Sequence, residues 1–218
     1  MTQKEGARAI TVAITGASGA IYALRLLQLL DACSEVERIN LVVSESGRQV
    51  IAEELGIARS SQLSDDLVHA FGLSPTKVRT FPIDDIGAAI ASGSYPVDAM
   101  VIIPCSGGTL AAVANGIAVN LIHRAAEVTL KENRRLILVV REAPLSAIHL
   151  ENMLKLARLG AIILPAMPAF YHRPETIDDL VKHFVYRVLD HLGLSHSQET
   201  VWQGTARQDV FPHPIAKS

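Results

Sequence analysis

The residues suited to chemistry fall into short segments that follow apolar runs. The first is Thr15-Gly16-Ala17-Ser18-Gly19-Ala20. Its small side chains let the backbone approach a ligand, and a helix opening behind it offers unpaired N–H groups and a positive dipole end suited to a phosphate. The spacing is GxxG, not the GxGxxG of dinucleotide sites, so a tight turn that binds nothing is the plain alternative. A second run ends in Ser44-Glu45-Ser46-Gly47, where a hydroxyl stands at the tip that NAD sites usually give to an acid. A third segment, Pro104-Cys105-Ser106-Gly107-Gly108-Thr109, is again small, hydroxylated and placed to open a helix. Two such loops at neighbouring strand ends can cradle one phosphorylated ligand. Ser106 lacks a GxSxG setting, which argues against a hydrolase nucleophile.

Charge enters with Arg141-Glu142-Ala143-Pro144, either a ligand-facing pair or a solvated ion pair. The segment 165–174 holds three prolines with Phe170, Tyr171 and His172, a stiff loop able to wall an apolar pocket or simply to close the structure. Arg124, Lys131 and Arg187 lie on helical patterns. Glu127 precedes Lys131 by four residues, so a helix-surface pair is the simple reading of that lysine. His123, His149, His172 and His183 show no HxxxH or HExxH spacing, which argues against a metal site.

Positioning these segments requires strands that end beneath them. Apolar runs rich in Val and Ile occupy 10–14, 39–43, 100–103, 136–140 and 161–164, as expected of strands buried on both faces. Helical periods fill 20–30, 47–55, 120–132, 146–159 and 176–192. In the last, Ile177, Leu180, Val181, Phe184, Val185, Val188 and Leu189 form an apolar stripe. The alternation predicts a three-layer α/β fold, a Rossmann-like (flavodoxin-like) open parallel sheet with helices on both faces. Residues 56–97 read as an irregular wrap around the sheet edge. Ligands in such a sheet bind at the carboxyl ends of the strands, where the chemistry-bearing segments lie.

The chain has 218 residues, 49% apolar and 19% charged, and is expected to form a single domain over 1–218 with a polar tail from about 194. Twenty basic residues against 22 acidic ones leave a net charge of −2, which opposes a sequence-independent grip on nucleic acid. Cys33 and Cys105 sit in apolar contexts and read as two reduced, buried thiols of a cytoplasmic protein. No apolar run approaches the ~18 residues of a membrane span. The positive mean hydropathy, +0.27, points to apolar surface covered by subunit contacts.

Taken together, ITGASGAIYALRLL, the serine-tipped second strand, PCSGGTLAAVANGIAVNLIHRAAEVTLKE, LILVVREAPLSAIHLENMLKLARLGAIILPAMPAFYHRP and DLVKHFVYRVLDHLG resemble the UbiX flavin prenyltransferase family over residues 9–192. The resemblance implies a metal-free enzyme that binds reduced FMN and a dimethylallyl monophosphate and joins the prenyl unit to N5 and C6 of the flavin. The product, prenylated FMN, serves UbiD-type decarboxylases, in some bacteria on the way to ubiquinone. It also implies a dodecamer with sites at subunit junctions. Carried over by motif, Gly16, Ala17, Ser18 and Ser44 would hold the FMN phosphate and ribityl chain. Ser106, Gly107, Gly108, Thr109 and Arg141 would line the flavin. Lys131, Glu142, Tyr171 and Arg187 would surround the prenyl phosphate, with Arg124 and Arg141 beside them and Trp202 over the site. Lys131, Glu142 and Glu54 would serve catalysis. The third loop reads CSGGT where CSTGT is expected, one hydroxyl fewer.

The chemistry fits these residue types. An allylic carbon–oxygen bond ionises when cations stabilise the departing phosphate. Aromatic faces stabilise the allyl cation, and a carboxylate moves protons. Asp65-Asp66, Asp84-Asp85 and Asp178-Asp179 all lack the further Asp of a DDxxD metal–diphosphate motif. Two other readings compete. A flavin-dependent cysteine decarboxylase would share the ANGIA-x-NL segment but carry a PASANT-type loop in place of PCSGGT. A non-catalytic FMN-binding partner of a decarboxylase would have no need of a second phosphate site.

Overall fold

The computed structural model describes residues 7–57 and 63–196. Six parallel strands, β1 (Arg8–Ile14), β2 (Val36–Val43), β3 (Val78–Phe81), β4 (Ala99–Cys105), β5 (Arg135–Val140) and β6 (Ile162–Ile163), form one sheet in the order β3-β2-β1-β4-β5-β6. The helices are α1 (Ala20–Ala32), α2 (Glu45–Leu55), α3 (Leu63–Ala70), α4 (Gly107–Ala114), α5 (Leu121–Lys131), α6 (Ala147–Arg158) and α7 (Ile177–Leu192). Strand order reverses between β1 and β4, and there the crossovers leave in opposite directions and open a crevice at the carboxyl edge.

The strands bury both faces, so alternate residues feed two separate cores. Ile10, Val12 and Ile14 of β1 join Ile39, Leu41, Val101, Ile103, Ile137 and Val139 under α1, α2 and α7. Ala13, Val42, Met100, Ile102, Leu136 and Leu138 face the other way, under α4, α5 and α6. The three layers expected from the sequence are therefore present, and the strand runs at 10–14, 39–43, 100–103 and 136–140 lie inside the observed strands. β6 is shorter than its apolar run, although Leu164 N still donates to Leu138 O at 2.9 Å.

The segment 56–97 is more regular than its sequence pattern predicts. It contains α3, a 3-10 turn over Ala89–Ala91 and the edge strand β3, which pairs with β2 from Ile39↔Val78 to Val42↔Phe81. Four residues with Arg79 and Thr80 at the centre carry too little apolar signal to read as a strand. Cys33 is also a correction: it is half-buried, whereas Cys105 is fully buried, and both are free thiols. Burial pushes the Cys105 thiol up to about 12, a backbone N–H from Leu110 offsetting only part of that rise.

Candidate functional site

Most of these helices begin at a side-chain cap that the sequence supplies locally. Ser44 accepts from Gly47 N at 3.0 Å at the start of α2, and Ser106 from Thr109 N at 3.3 Å at the start of α4. Asn120, Ser146 and Thr176 do the same for α5, α6 and α7. Such a cap stabilises a helix by about 1 kcal/mol. The first helix differs. Its N-cap is Gly19, at φ 113°, a left-handed conformation that a side chain would strain, and no local side chain caps it. Glu54 reaches over from α2 and accepts from Gly19 N at 2.9 Å and Ala20 N at 2.8 Å. Burial works to raise the Glu54 carboxyl, but the bonds from Ser18, Gly19 and Ala20 and the charge of Arg141 outweigh it and hold it below the usual carboxylate range.

Glu54 thus takes the positive end of α1, and the N–H groups at the start of α2 remain the nearer anchor for a phosphate beside Gly16. Gly16 packs so closely on that helix that a Cβ there would fall 2.4 Å from Ser46 Cβ and Oγ. Gly47 sits equally close to β1, where a Cβ would meet Ile14 O at 2.7 Å. Ser46 Oγ lies 3.2 Å from Ser44 Oγ, so Gly16, Ser44 and Ser46 form one small polar cradle. These glycines fit a phosphorylated ligand brought against backbone rather than against side chains.

Across the switch point, Thr15 fixes the second loop to the first. Its buried hydroxyl donates to Pro104 O at 2.8 Å and accepts from Ser106 N at 2.9 Å. The Ile103–Pro104 peptide bond, near the end of β4, and the Ala143–Pro144 bond, in the loop after β5, are cis. Gly108 has open space where a side chain would be, so the turn after Ser106 presents bare backbone. Arg141 N donates to Cys105 O at 3.2 Å, and its Nε donates to Ser18 O at 3.2 Å, which ties the β5 tip to the first loop. The solvated Arg141–Glu142 pair does not form. Instead Glu142 Oε1 accepts from Ala143 N at 3.1 Å. A Cβ on Gly107 would meet His149 Nε2 at 2.9 Å and Glu142 Oε2 at 3.6 Å, so both groups border that glycine. His149 belongs to this cluster and reads from sequence only as a helix residue. Its place as partner in the Ser146 capping box, three residues on, was the available signal.

Gly16, Ala17, Ser18, Ser44, Glu54, Ser106, Gly107, Gly108, Thr109, Arg141 and Glu142 accordingly converge on the carboxyl edge. Of the remaining candidates, Lys131 stands apart from them within one chain. Lys131 closes α5 just before β5 begins, at the amino edge, where its Nζ would lie 3.0 Å from a Cβ on Gly93. The six residues of β5 separate it from Glu142, a rise of about 20 Å. Its partner is Glu132, at 2.7 Å, and not Glu127, which pairs with Arg124 at 2.8 Å. Arg187, on α7, pairs with Asp190 at 2.5 Å. That helix runs from the edge loop down to Leu192, whose carbonyl accepts from Arg8 at the start of β1. Tyr171 bonds to His183 on the same helix. Trp202 lies outside the described residues. Of the acidic pairs, Asp178 is held by Arg25 and Lys182, and the Asp179 carboxylate accepts from Thr176 N at 2.9 Å in the capping box of α7, so both have structural partners. Among the described residues, no group of three or more His, Cys, Asp or Glu is placed to hold a metal ion.

If Ser18 and Ser44 serve a ligand phosphate, replacing both by Ala should lower FMN affinity by about tenfold or more, tenfold being close to the least that one hydrogen bond to a charged group is worth. Ser44→Ala alone also removes the α2 cap, so the measurement is a flavin titration well below the melting temperature. Unchanged affinity would place the phosphate elsewhere.

The family described as Flavoprotein matches residues 1–189. A protein named flavin prenyltransferase UbiX from Alkalihalophilus pseudofirmus is 48% identical over 194 residues, 88% of this chain and 95% of its own length. Among solved structures, AnUbiX (PadA1) in complex with FMN and dimethylallyl pyrophosphate superposes with a TM-score of 0.80 at 40% identity, covering 91% of this chain and 99% of its own. A dodecameric FMN-dependent Ubix-like decarboxylase from Escherichia coli O157:H7 gives 0.79 at 44% identity, covering 90% and 100%.

Proposed function

This chain belongs to the UbiX flavin prenyltransferase family of flavoproteins, and from that premise we propose how its own residues perform the transfer of a dimethylallyl unit to reduced FMN. The observation that carries the reading is the joining of the Gly16–Ser18, Ser44, Ser106–Thr109 and Arg141–Glu142 segments at one sheet edge, locked by the Thr15 hydroxyl and by Arg141 Nε on Ser18 O. Ser44 and the start of α2 receive the flavin phosphate. The bare turn at Gly107 and Gly108 lies along the flavin, and Arg141 spans both loops.

FMN is consumed as substrate and supplies the nucleophilic N5 and C6 atoms. The chain's task is to stabilise the phosphate that leaves the allylic carbon and to manage protons. Cations do the first, and Lys131, Arg124 and Arg187 with the Tyr171 hydroxyl form that group. Glu142 borders the flavin turn and exchanges a proton with the departing phosphate or with the flavin. Glu54, kept ionised by its bonds to Ser18, Gly19 and Ala20, holds the first loop open for the ligand.

Because the length of β5 separates Lys131 from Glu142 in one chain, the complete site draws on neighbouring copies. The surface supports such an assembly: Val119, Ile148, Met167, Phe170 and Ile177 are large apolar side chains left exposed, Val119 and Ile177 at 75% and 74%. A closed homo-oligomer, a dodecamer like that of the Escherichia coli relative, covers them. Free Cys33 and Cys105 suit a reducing compartment, and we place the protein in the cytoplasm, delivering prenylated FMN to a UbiD-type decarboxylase. Among the described residues no helix is long and apolar enough to cross a membrane.

The test is anaerobic. Purified protein is mixed with reduced FMN and dimethylallyl monophosphate, and in parallel with the diphosphate, with metal chelated throughout, and the extracted flavin is weighed by mass spectrometry. Addition of one prenyl unit from the monophosphate is expected. Unmodified flavin with both donors would reduce the chain to a flavin-binding partner, and reaction only after metal is restored would overturn the metal-free site.

A further inference from the structure

Where the loop after β6 folds back on α7, three rings from two elements meet. The imidazoles of His172 and His183 stack with centroids 4.1 Å apart and 20° between their planes. Tyr171 stands edge-on to His183, centroids 5.1 Å apart at 88°, and its Oη lies 3.1 Å from His183 Nε2. His183 is buried, and among the described residues its Nδ1 has no hydrogen-bond partner. Four residues further on, one turn along the same helix face, stands Arg187.

A neutral imidazole carries its proton on one nitrogen only. An N–H buried without an acceptor is rarer and costlier than a buried lone pair without a donor. The proton of His183 therefore belongs on Nε2, where the Tyr171 oxygen receives it, and Nδ1 keeps its lone pair. A second proton is opposed by burial first, then by His172 and Arg187, with Asp190 alone pulling the other way. The net effect lowers the His183 pKa. The direction of one hydrogen bond follows. Nε2–H donates to Tyr171 Oη, so the phenol proton is directed at an acceptor other than His183. The opposite tautomer would draw the phenol proton inward and turn oxygen lone pairs toward whatever lies outside. A phosphate dianion offers only acceptors, so it is bound in the first case and repelled in the second.

We propose that His183, as its Nε2–H tautomer, is a positioning residue that orients the Tyr171 hydroxyl as a donor to the phosphate of the prenyl substrate, beside Arg187. This rests on the placement of Tyr171 and Arg187 at the prenyl phosphate given above. From sequence, His183 reads only as the polar neighbour of Phe184 and Val185 on the apolar stripe of α7, with no indication that it reaches a loop residue.

The experiment measures binding, not turnover. Enzyme loaded with oxidised FMN, which cannot react, is titrated calorimetrically with dimethylallyl monophosphate and with the diphosphate. H183F removes the donor and keeps a ring in the buried space, and it should weaken monophosphate binding about 10–100-fold, the worth of one hydrogen bond to a charged group. H183Q, whose side-chain amide reaches about as far as Nε2, should recover most of that loss, and the shorter H183N should not. In the Y171F background, H183F should add nothing further. Flavin content and oligomer size, measured on each variant, show that the fold is kept. Should H183F fail to assemble, the comparison of H183Q with H183N carries the same distinction. Wild-type affinity in H183F, equal losses in H183Q and H183N, or losses that multiply in the double variant would overturn the inference. A wild-type protein that binds neither donor would overturn the placement of the phosphate site and the inference with it.

Discussion

Glu142→Gln should leave the flavin bound and slow prenyl transfer by ~10²–10³-fold, within the usual range for removing one acid–base group. The substitution keeps the shape of the side chain and an oxygen able to accept from Ala143 N, the contact Glu142 makes at 3.1 Å. It removes the ability to carry a proton. Because the change acts on the chemical step, kcat should fall while the dissociation constants of FMN and of the prenyl phosphate move little. Rapid mixing of reduced, FMN-loaded enzyme with the donor, quenched and read by flavin mass, separates the two. Turnover within a factor of two of wild type would remove Glu142 from the proton path. His149, which borders the same glycine, would then be the group to change.

The second large effect concerns how many chains make one site. Lys131→Ala should by itself abolish most activity, since an uncompensated phosphate leaving group costs several kcal/mol of barrier. If Lys131 and Glu142 of the same chain served one site, a mixture of Lys131→Ala and Glu142→Gln subunits would be as inactive as either variant. Their separation by the length of β5 predicts otherwise. Subunits of the two variants, co-expressed with different tags and purified through both, should regain roughly a quarter of wild-type activity, because each group is intact in half of the chains. No recovery in verified mixed oligomers would mean that Lys131 and Glu142 of one chain serve the same site, and a Lys131→Ala protein that stays active would mean that Lys131 takes no part.

The sequence signalled some of these features and could not signal others, for physical reasons. The runs at 10–14 and 136–140 are legible because strands buried on both faces must be apolar throughout, and Ser18, Ser44, Ser106 and Arg141 are legible because each lies within four residues after such a run. Edge strand β3 was missed because pairing on one side leaves Arg79 and Thr80 free to stay polar. The capping role of Glu54 has no local signature, because it closes a helix that begins 34 residues earlier. The spacing Glu127–Lys131 favoured a pair at four residues, yet Arg124 took Glu127 at three and left Lys131 to Glu132. That competition between neighbouring cations is decided by rotamers, which spacing does not encode. The resemblance to a family proposed phosphate-binding roles for Arg124, Lys131 and Arg187. The separation of Lys131 from Glu142 by the length of β5 became visible only in three dimensions.

The Thr15 hydroxyl, donating to one strand end and accepting from the next loop, has a bearing on how the ligand is received. A loop that orders only when flavin arrives would surrender on the order of 1 kcal/mol per residue of backbone freedom at that moment. Here the two loops are already joined by Thr15 on one side and by Arg141 on Ser18 on the other, so that loss falls on folding instead. The receptor is stiff before it is filled. With the phosphate at Ser44 and the ring along Gly107, as proposed above, selectivity would come from shape, because a ligand that does not match the spacing between them would find no adjustable partner.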